Sequence, residues 1–242
     1  MKRRMKAIAA IMLMTTVIFV AGCKPEDDPD NGGGNNGGGT YNGHEYVDLG
    51  LPSGTLWATC NVGSDTPEGY GNYYAWGETT PKSIYDWTTY KYCNGGEVWN
   101  PLFTKYCNDS NYGFGGFTDN LTVLQPMDDA ATANWGSGWC MPTNGQWAEL
   151  YENTTHSCTT QNGVNGRLFT ATNGSSLFLP AAGYRWTDQL CADGSSGFYW
   201  SSSLDTDSPS GALLLSFESE YCTLSNDGRQ GGFSVRPVHS AR

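Results

Sequence analysis

Met141-Pro-Thr-Asn-Gly-Gln-Trp-Ala-Glu-Leu-Tyr151 decides the fold class. Thr143 followed by Gln146 is a capping box, in which each residue satisfies a backbone N–H of the other. Trp147, Leu150 and Tyr151 then recur at i, i+3 and i+4, the spacing of one apolar helix face. Just upstream, Asp128 is placed to cap Asp129-Ala-Ala-Thr-Ala-Asn-Trp135, which Gly136 stops. Nothing else in the chain reads as helix. Around these two segments lie short aromatic and β-branched runs at 44–50, 55–62, 72–77, 166–171, 176–180, 198–203, 212–217, 220–225 and 232–238, separated by Gly, Asn, Asp and Ser. The expected fold class is therefore α+β, loop-rich, with antiparallel sheets and two short helices. Near the end, Leu213, Leu215 and Phe217 alternate with Leu214, Ser216 and Glu218. Period two predicts the first set inward and the second toward solvent.

The first 22 residues point to export. Lys2-Arg-Arg-Met-Lys6 is a positive start, and Ala7 to Val20 is an apolar stretch of 14 residues. A membrane-spanning helix needs about 20, whereas a signal h-region is this short. Val20-Ala21-Gly22-Cys23 resembles the lipobox of bacterial lipoproteins, which predicts cleavage before Cys23 and lipidation of its thiol. An ordinary signal peptide ahead of an unrelated cysteine is the alternative. Lys-Pro-Glu-Asp-Asp-Pro-Asp (24–30) is similar to the acidic signal that sends Bacteroidetes lipoproteins to the outer face of the cell, or else is a solvated charge run. Asn31 to Gly39 (NGGGNNGGG) has no side chain able to build a core. The expected organisation is a signal peptide over 1–22, a lipidated cysteine, acidic signal and tether over 23–43, and one head domain over 44–242. Lipid would anchor that head to the outer membrane without spanning it.

Charge narrows the partners. Lys2, Arg3, Arg4 and Lys6 are four of the 13 basic residues, so cleavage leaves nine against 24 acidic ones, a net charge of −15. Such a surface repels a phosphate backbone, and no nucleic-acid partner is expected. Aromatic residues make up 13% and charged residues only 15%, which is not the composition of a disordered chain.

Seven cysteines remain beyond Cys23: Cys60, Cys93, Cys107, Cys140, Cys158, Cys191 and Cys222. Export permits disulfides. Cys93 and Cys107 flank one Gly/Asn-rich loop in matching Lys-Tyr-Cys contexts and are the expected bridge. Seven is odd, so at least one thiol stays unbridged. Catalytic signatures are missing: there is no G-x-S-x-G elbow, P-loop, H-E-x-x-H or EF-hand loop. His44, His156 and His239 lack ligand spacing. Asp205-Thr-Asp207 comes nearest to a calcium loop, but Pro209 takes the third ligand position. No metal and no cofactor are expected.

Several phrases carry a resemblance: Val47-Asp-Leu-Gly-Leu-Pro-Ser-Gly-Thr-Leu-Trp57-Ala-Thr-Cys-Asn-Val-Gly63, Tyr74-Ala-Trp-Gly-Glu-Thr-Thr80, Asp128-Asp-Ala-Ala-Thr-Ala-Asn-Trp-Gly136, Met141-Pro-Thr-x-x-x-Trp147, Leu179-Pro-Ala-Ala-Gly-Tyr-Arg185, Tyr199-Trp-Ser-Ser-Ser203 and Gly232-Phe-Ser-Val-Arg-Pro-Val238. In this order they resemble the Fibrobacter succinogenes major paralogous domain family. The resemblance implies a C-type-lectin-like fold, in the variety shared with formylglycine-generating enzymes. Those enzymes bind copper through two cysteines a few residues apart near the C-terminus. Here Cys222 stands alone, with Cys191 31 positions upstream, so an enzyme is not expected.

The same fold group includes adhesins and the variable proteins of diversity-generating retroelements, whose changeable residues lie between fixed phrases near the C-terminus. Tyr199–Ser203 and Gly232–Val238 bracket 28 such positions, 204–231. The expected ligand-facing residues are Asp205, Asp207, Ser208, Ser210, Leu214, Glu218, Glu220, Tyr221, Thr223, Asn226, Asp227 and Arg229. The implied function is non-covalent recognition of an unknown protein or glycan ligand at the cell surface. A plain solvated hairpin is the bland alternative for this segment. For the whole protein the alternatives are a structural or tip subunit of a surface filament and a degenerate formylglycine-generating-type enzyme.

Overall fold

A computed structural model describes residues 37–97 and 100–240. The signal segment, Cys23, the acidic cluster and most of the tether lie outside the described residues. Among the described residues there are fourteen strands, two α-helices and two short 3-10 turns, and every strand pairing is antiparallel. The α+β, loop-rich class is observed. No helix among the described residues is long and apolar enough to cross a membrane.

The first sheet joins both ends of the head in the order β1-β2-β3-β14, with β1 at Gly38–Tyr41, β2 at His44–Asp48, β3 at Thr55–Ala58 and β14 at Val238–Ser240. Strand β1 falls inside the stretch expected to be tether, so the ordered head begins at least six residues before His44. The reason is Asn42-Gly43: both residues have positive φ (47° and 79°), the two-residue turn that matches strand twist and folds β1 back on β2. Strands β4 (Cys93–Glu97) and β5 (Asn100–Phe103) form a hairpin. Strands β6 (Thr154–Gln161), β7 (Val164–Ala171) and β8 (Ser176–Pro180) form a meander, turned at Asn162-Gly163 by the same chemistry. A small hairpin, β9 (Tyr184–Trp186) and β10 (Gln189–Cys191), precedes the sheet β11-β12-β13, formed by Gly197–Leu204, Gly211–Phe217 and Cys222–Gly228.

Helix α2 (Asn144–Asn153) forms where expected. Gln146 N–H donates to Thr143 Oγ1 at 3.2 Å and Thr143 N–H to Gln146 Oε1 at 2.9 Å. Trp147 and Leu150 are buried, while Tyr151 stays exposed. Helix α1 (Ala130–Trp135) differs by one residue at its start: Asp129, not Asp128, accepts from Thr132 N–H at 2.9 Å. Asp128 sits in the preceding 3-10 turn and does something else. Its carboxylate takes Lys105 Nζ at 2.6 Å, Lys91 Nζ at 3.0 Å, Tyr106 OH at 2.8 Å and a short bond from Tyr92 OH. That cage fastens the β4–β5 region to the helical side of the molecule.

Two hydrophobic clusters share one partition, the β11-β12-β13 sheet. Trp200 and Leu214, register partners, face the cluster built on Trp76, Trp139, Phe233 and Val235. Tyr199 and Leu215, also partners, face the cluster of Trp57, Trp147, Leu150 and Leu179. A strand buried on both faces does not alternate between core and solvent. The segment Gly232–Pro237 runs through the middle by isolated bridges to Arg185, Tyr74 and Tyr199 rather than as a ladder, before Val238 enters β14 and also bridges to Cys140.

The expected Cys93–Cys107 bridge is not formed. Asp119 gathers the amides of Tyr106 and Cys107 at 2.9 and 3.0 Å, and the Cys107 thiol turns to donate to the Asp109 carbonyl at 3.1 Å. The three histidines pack against rings: His44 on Trp135 at 3.7 Å, His239 on Tyr41 at 3.9 Å and His156 beside Tyr151 at 4.8 Å.

The adjacent carboxylates make opposite pH predictions. Burial opposes ionisation of Asp128, yet the Lys105, Tyr92, Lys91 and Tyr106 bonds outweigh it and hold the pKa down at about 2. Its contribution to stability is present above the ordinary carboxylate pKa and is lost as pH falls from about 4 to 2. Burial raises Asp129 to about 6, against its backbone hydrogen bonds. Its stabilising effect is therefore present below about 4 and lost as pH rises through 6. Urea titrations should show the gap between wild type and Asp128→Asn closing from pH 4 to 2. Asp129→Asn should abolish the loss between pH 4 and 6. Parallel pH curves for wild type and both variants would contradict the assignment.

Candidate functional site

The expected ligand-facing residues divide by the topology of β12 and β13. Strand β13 is the edge of its sheet, so Thr223 and Asn226 are exposed, and the turn before it exposes Glu220 and Tyr221, the latter to 50%. Asp207 is exposed in the loop that leads into β12, and Ser208, Ser210, Glu218 and Asp227 are half-buried. Nine of the twelve therefore reach solvent at least in part.

Three do not. Leu214 is in the core, because β12 is the middle strand and the other hydrophobic cluster waits on the face read as outward. Asp205 is buried as a loop anchor: Oδ1 accepts from Asp207 and Ser208 N–H at 3.0 and 3.3 Å, and Oδ2 accepts from the Asn226 amide. Those bonds use both oxygens for folding.

Arg229 is wholly buried, past the end of β13, where Arg229 N–H donates to Ser210 O at 3.0 Å and Trp76 N–H donates to Arg229 O at 2.9 Å. Its guanidinium lies 3.8 Å from the Phe103 ring centroid, with Tyr90 and Trp76 at 5.4 and 5.6 Å. Nη1 donates to the Tyr106 carbonyl at 2.8 Å. This is a cation held by ring faces and a carbonyl, without an ion pair among the described residues.

Two concavities flank the exposed set. One, of about 380 Å³, is lined by Asn144, Leu213, Leu224, Ser225 and Asn226. Leu213 and Leu224 supply apolar surface, and Asn144, Ser225 and Asn226 supply donors and acceptors. Asn144 Oδ1 is buried there with no hydrogen-bond partner among the described residues. Apolar surface beside a few polar side chains suits a small ligand that brings a hydroxyl or N–H. The second, of about 660 Å³, lies at the other end of β13, between the β6–β7 strands, the 192–196 loop and the turn at Glu218-Ser219, with Cys158 in its wall.

Sequence reasoning missed Leu213 and Asn144. Leu213 shares the inward parity of Leu215 and Phe217, but it is only half-buried and lines the groove with Asn144. Asn144 is the first residue of α2, a position read only for its helix signal. Among the described residues no three His, Cys, Asp or Glu side chains gather as a metal site.

No known family model, curated protein or solved structure matches this chain. The reading of the site therefore stands on its geometry and on the sequence phrases.

The division between buried and exposed positions is testable by stability. Leu214→Ala should cost about 2–5 kcal/mol in urea unfolding. Tyr221→Ala and Thr223→Ala should each stay within about 0.5 kcal/mol of wild type. A Tyr221→Ala cost matching that of Leu214→Ala would mean that the turn is structural rather than displayed.

Proposed function

We propose that this chain is a lipid-anchored protein of the outer membrane, exposed on the cell surface, whose C-type-lectin-like head recognises a protein or glycan ligand non-covalently. The observation that carries the reading is the groove on the β12–β13 hairpin, where Asn144, Asn226 and Ser225 sit beside Leu213 and Leu224. Apolar contact with a few fixed polar groups is the usual composition of a small recognition site. The resemblance to the Fibrobacter succinogenes major paralogous domain family supports it, since that resemblance implies a display scaffold.

The exposed residues Asp207, Glu220, Tyr221 and Thr223 can vary without disturbing either core cluster, which is what diversification of this segment requires. The head works without a cofactor and without catalysis. Burial pushes the Cys222 thiol up to about 11, against Arg167, so at neutral pH it is protonated rather than nucleophilic. The acidic surface disfavours nucleic acid as the ligand.

The test is a binding screen of the purified protein against arrayed glycans, mucin glycoproteins and neighbouring cell surfaces. Saturable binding is expected, weakened at least tenfold by Asn226→Arg, which fills the groove, with the circular dichroism spectrum unchanged. Binding untouched by Asn226→Arg and by Tyr221→Ala would remove the hairpin from the site. Binding to nothing by the folded protein would overturn recognition as its function.

A further inference from the structure

The turn that ends the proposed binding face is moored from below by a cluster that recognition does not use. Glu218 N–H donates to Tyr221 O at 2.9 Å, closing a four-residue turn between β12 and β13. Beneath it lies Arg167 of β7, itself buried, whose Nη1 donates to Tyr221 O at 2.6 Å and to Glu218 O at 3.3 Å. Cys158 of β6 is the cross-strand partner of Arg167, and its Sγ lies 3.4 Å from Glu218 O and 3.6 Å from Ser219 O. Cys222 follows Tyr221 directly, is the register partner of Phe217 and is buried, and burial raises its thiol pKa against the nearby Arg167 guanidinium. Two cysteines from different sheets thus flank one turn and the arginine that moors it. One is exposed in the wall of the 660 Å³ hollow and the other is closed off behind it.

We propose that Cys158 and Cys222 are a disulfide-forming pair that locks the tip of the β12–β13 hairpin to the β6–β7 sheet. The oxidant is a small-molecule or protein disulfide, for which glutathione disulfide stands in. The exposed Cys158 thiolate attacks one glutathione sulfur, forming a mixed disulfide as the first glutathione thiolate leaves and takes up the Cys158 proton. The Cys222 thiolate then attacks Cys158 Sγ, and the second glutathione leaves with the second proton. Each cysteine loses one electron, and the glutathione disulfide is reduced to two thiols.

Few Cys222 side chains are ionised at neutral pH, so the second step is slow. The same weak acidity makes Cys222 a poor leaving group, so the bond resists reduction once made. The two cysteines are 64 positions apart, so closing the loop restrains much of the unfolded chain. The locked turn carries Glu220 and Tyr221, which ties the shape of one end of the display surface to its oxidation.

The full chain, incubated with glutathione disulfide, alkylated and digested, should yield a peptide pair joined through Cys158 and Cys222. Its thermal midpoint should rise on the order of 10 °C over the reduced form and return with dithiothreitol. Cys158→Ser replaces an exposed thiol, so this variant should fold, melt with reduced wild type and show no response to either reagent. Alkylation of both cysteines after oxidation, or linkage of either to another cysteine, would overturn the proposal. So would a full oxidative shift surviving in Cys158→Ser.

Discussion

The fold depends on how the segment Gly232–Val238 is buried. Its backbone is shared among strangers: Phe233 exchanges hydrogen bonds with Tyr74 at 2.9 and 3.1 Å, Ser234 takes Trp200 N–H at 3.1 Å, and Val235 and Pro237 accept from Val62 and Ala58 at 3.0 Å each. Buried polar backbone must be paired, and here the pairings reach three different parts of the chain. Removing this one strand would orphan groups in several loops at once. Arg236 shows the same logic in a side chain, with Nε donating to Asn61 Oδ1 at 2.9 Å and Nη1 to the Ala58 carbonyl at 3.0 Å, and without an ion pair among the described residues. Indoles do likewise: Trp76 and Trp200 donate to the Ser201 and Tyr74 carbonyls at 2.8 Å each.

That arrangement frees the hairpin beside it. Because the central segment and the two clusters hold β11 and β12 from both faces, β13 adds only its inner edge and its inward side chains to stability. Its outer edge, the turn before it and the loop after β11 carry side chains whose identity the core does not dictate. A rigid scaffold with an unconstrained border is what a recognition surface needs, and the groove at Asn144 supplies a fixed point of attachment on that border.

Much of this was legible in residues, and the failures have physical causes. The capping box at Thr143 and Gln146 and the stop at Gly136 are local chemistry, which sequence states directly. The one-residue error at α1 arose because Asp128 and Asp129 both suit a cap, and only the distant Lys91, Lys105, Tyr92 and Tyr106 decide which of them is free for it. Leu214 and Arg229 were misread because alternation and charge say how a residue differs from its neighbours, not what tertiary layer lies opposite. The edge groove at Leu213 and Asn144 and the meeting of Cys158 with Cys222 join positions far apart in the chain, and no spacing rule reaches that far.

The central claim is that Gly232–Val238 holds the core while the β12–β13 turn is displayed upon it, and amide hydrogen exchange resolved by residue tests it most directly. The amides of Ala58, Val62, Trp200 and Phe233 should exchange slowest and share one opening free energy, equal to that of global unfolding. Those of Ser219 and Glu220 should exchange by local opening far below it. Faster exchange at Phe233 and Trp200 than in the β9–β10 hairpin would contradict the account, because the strand on which it rests would then be opening independently of the core.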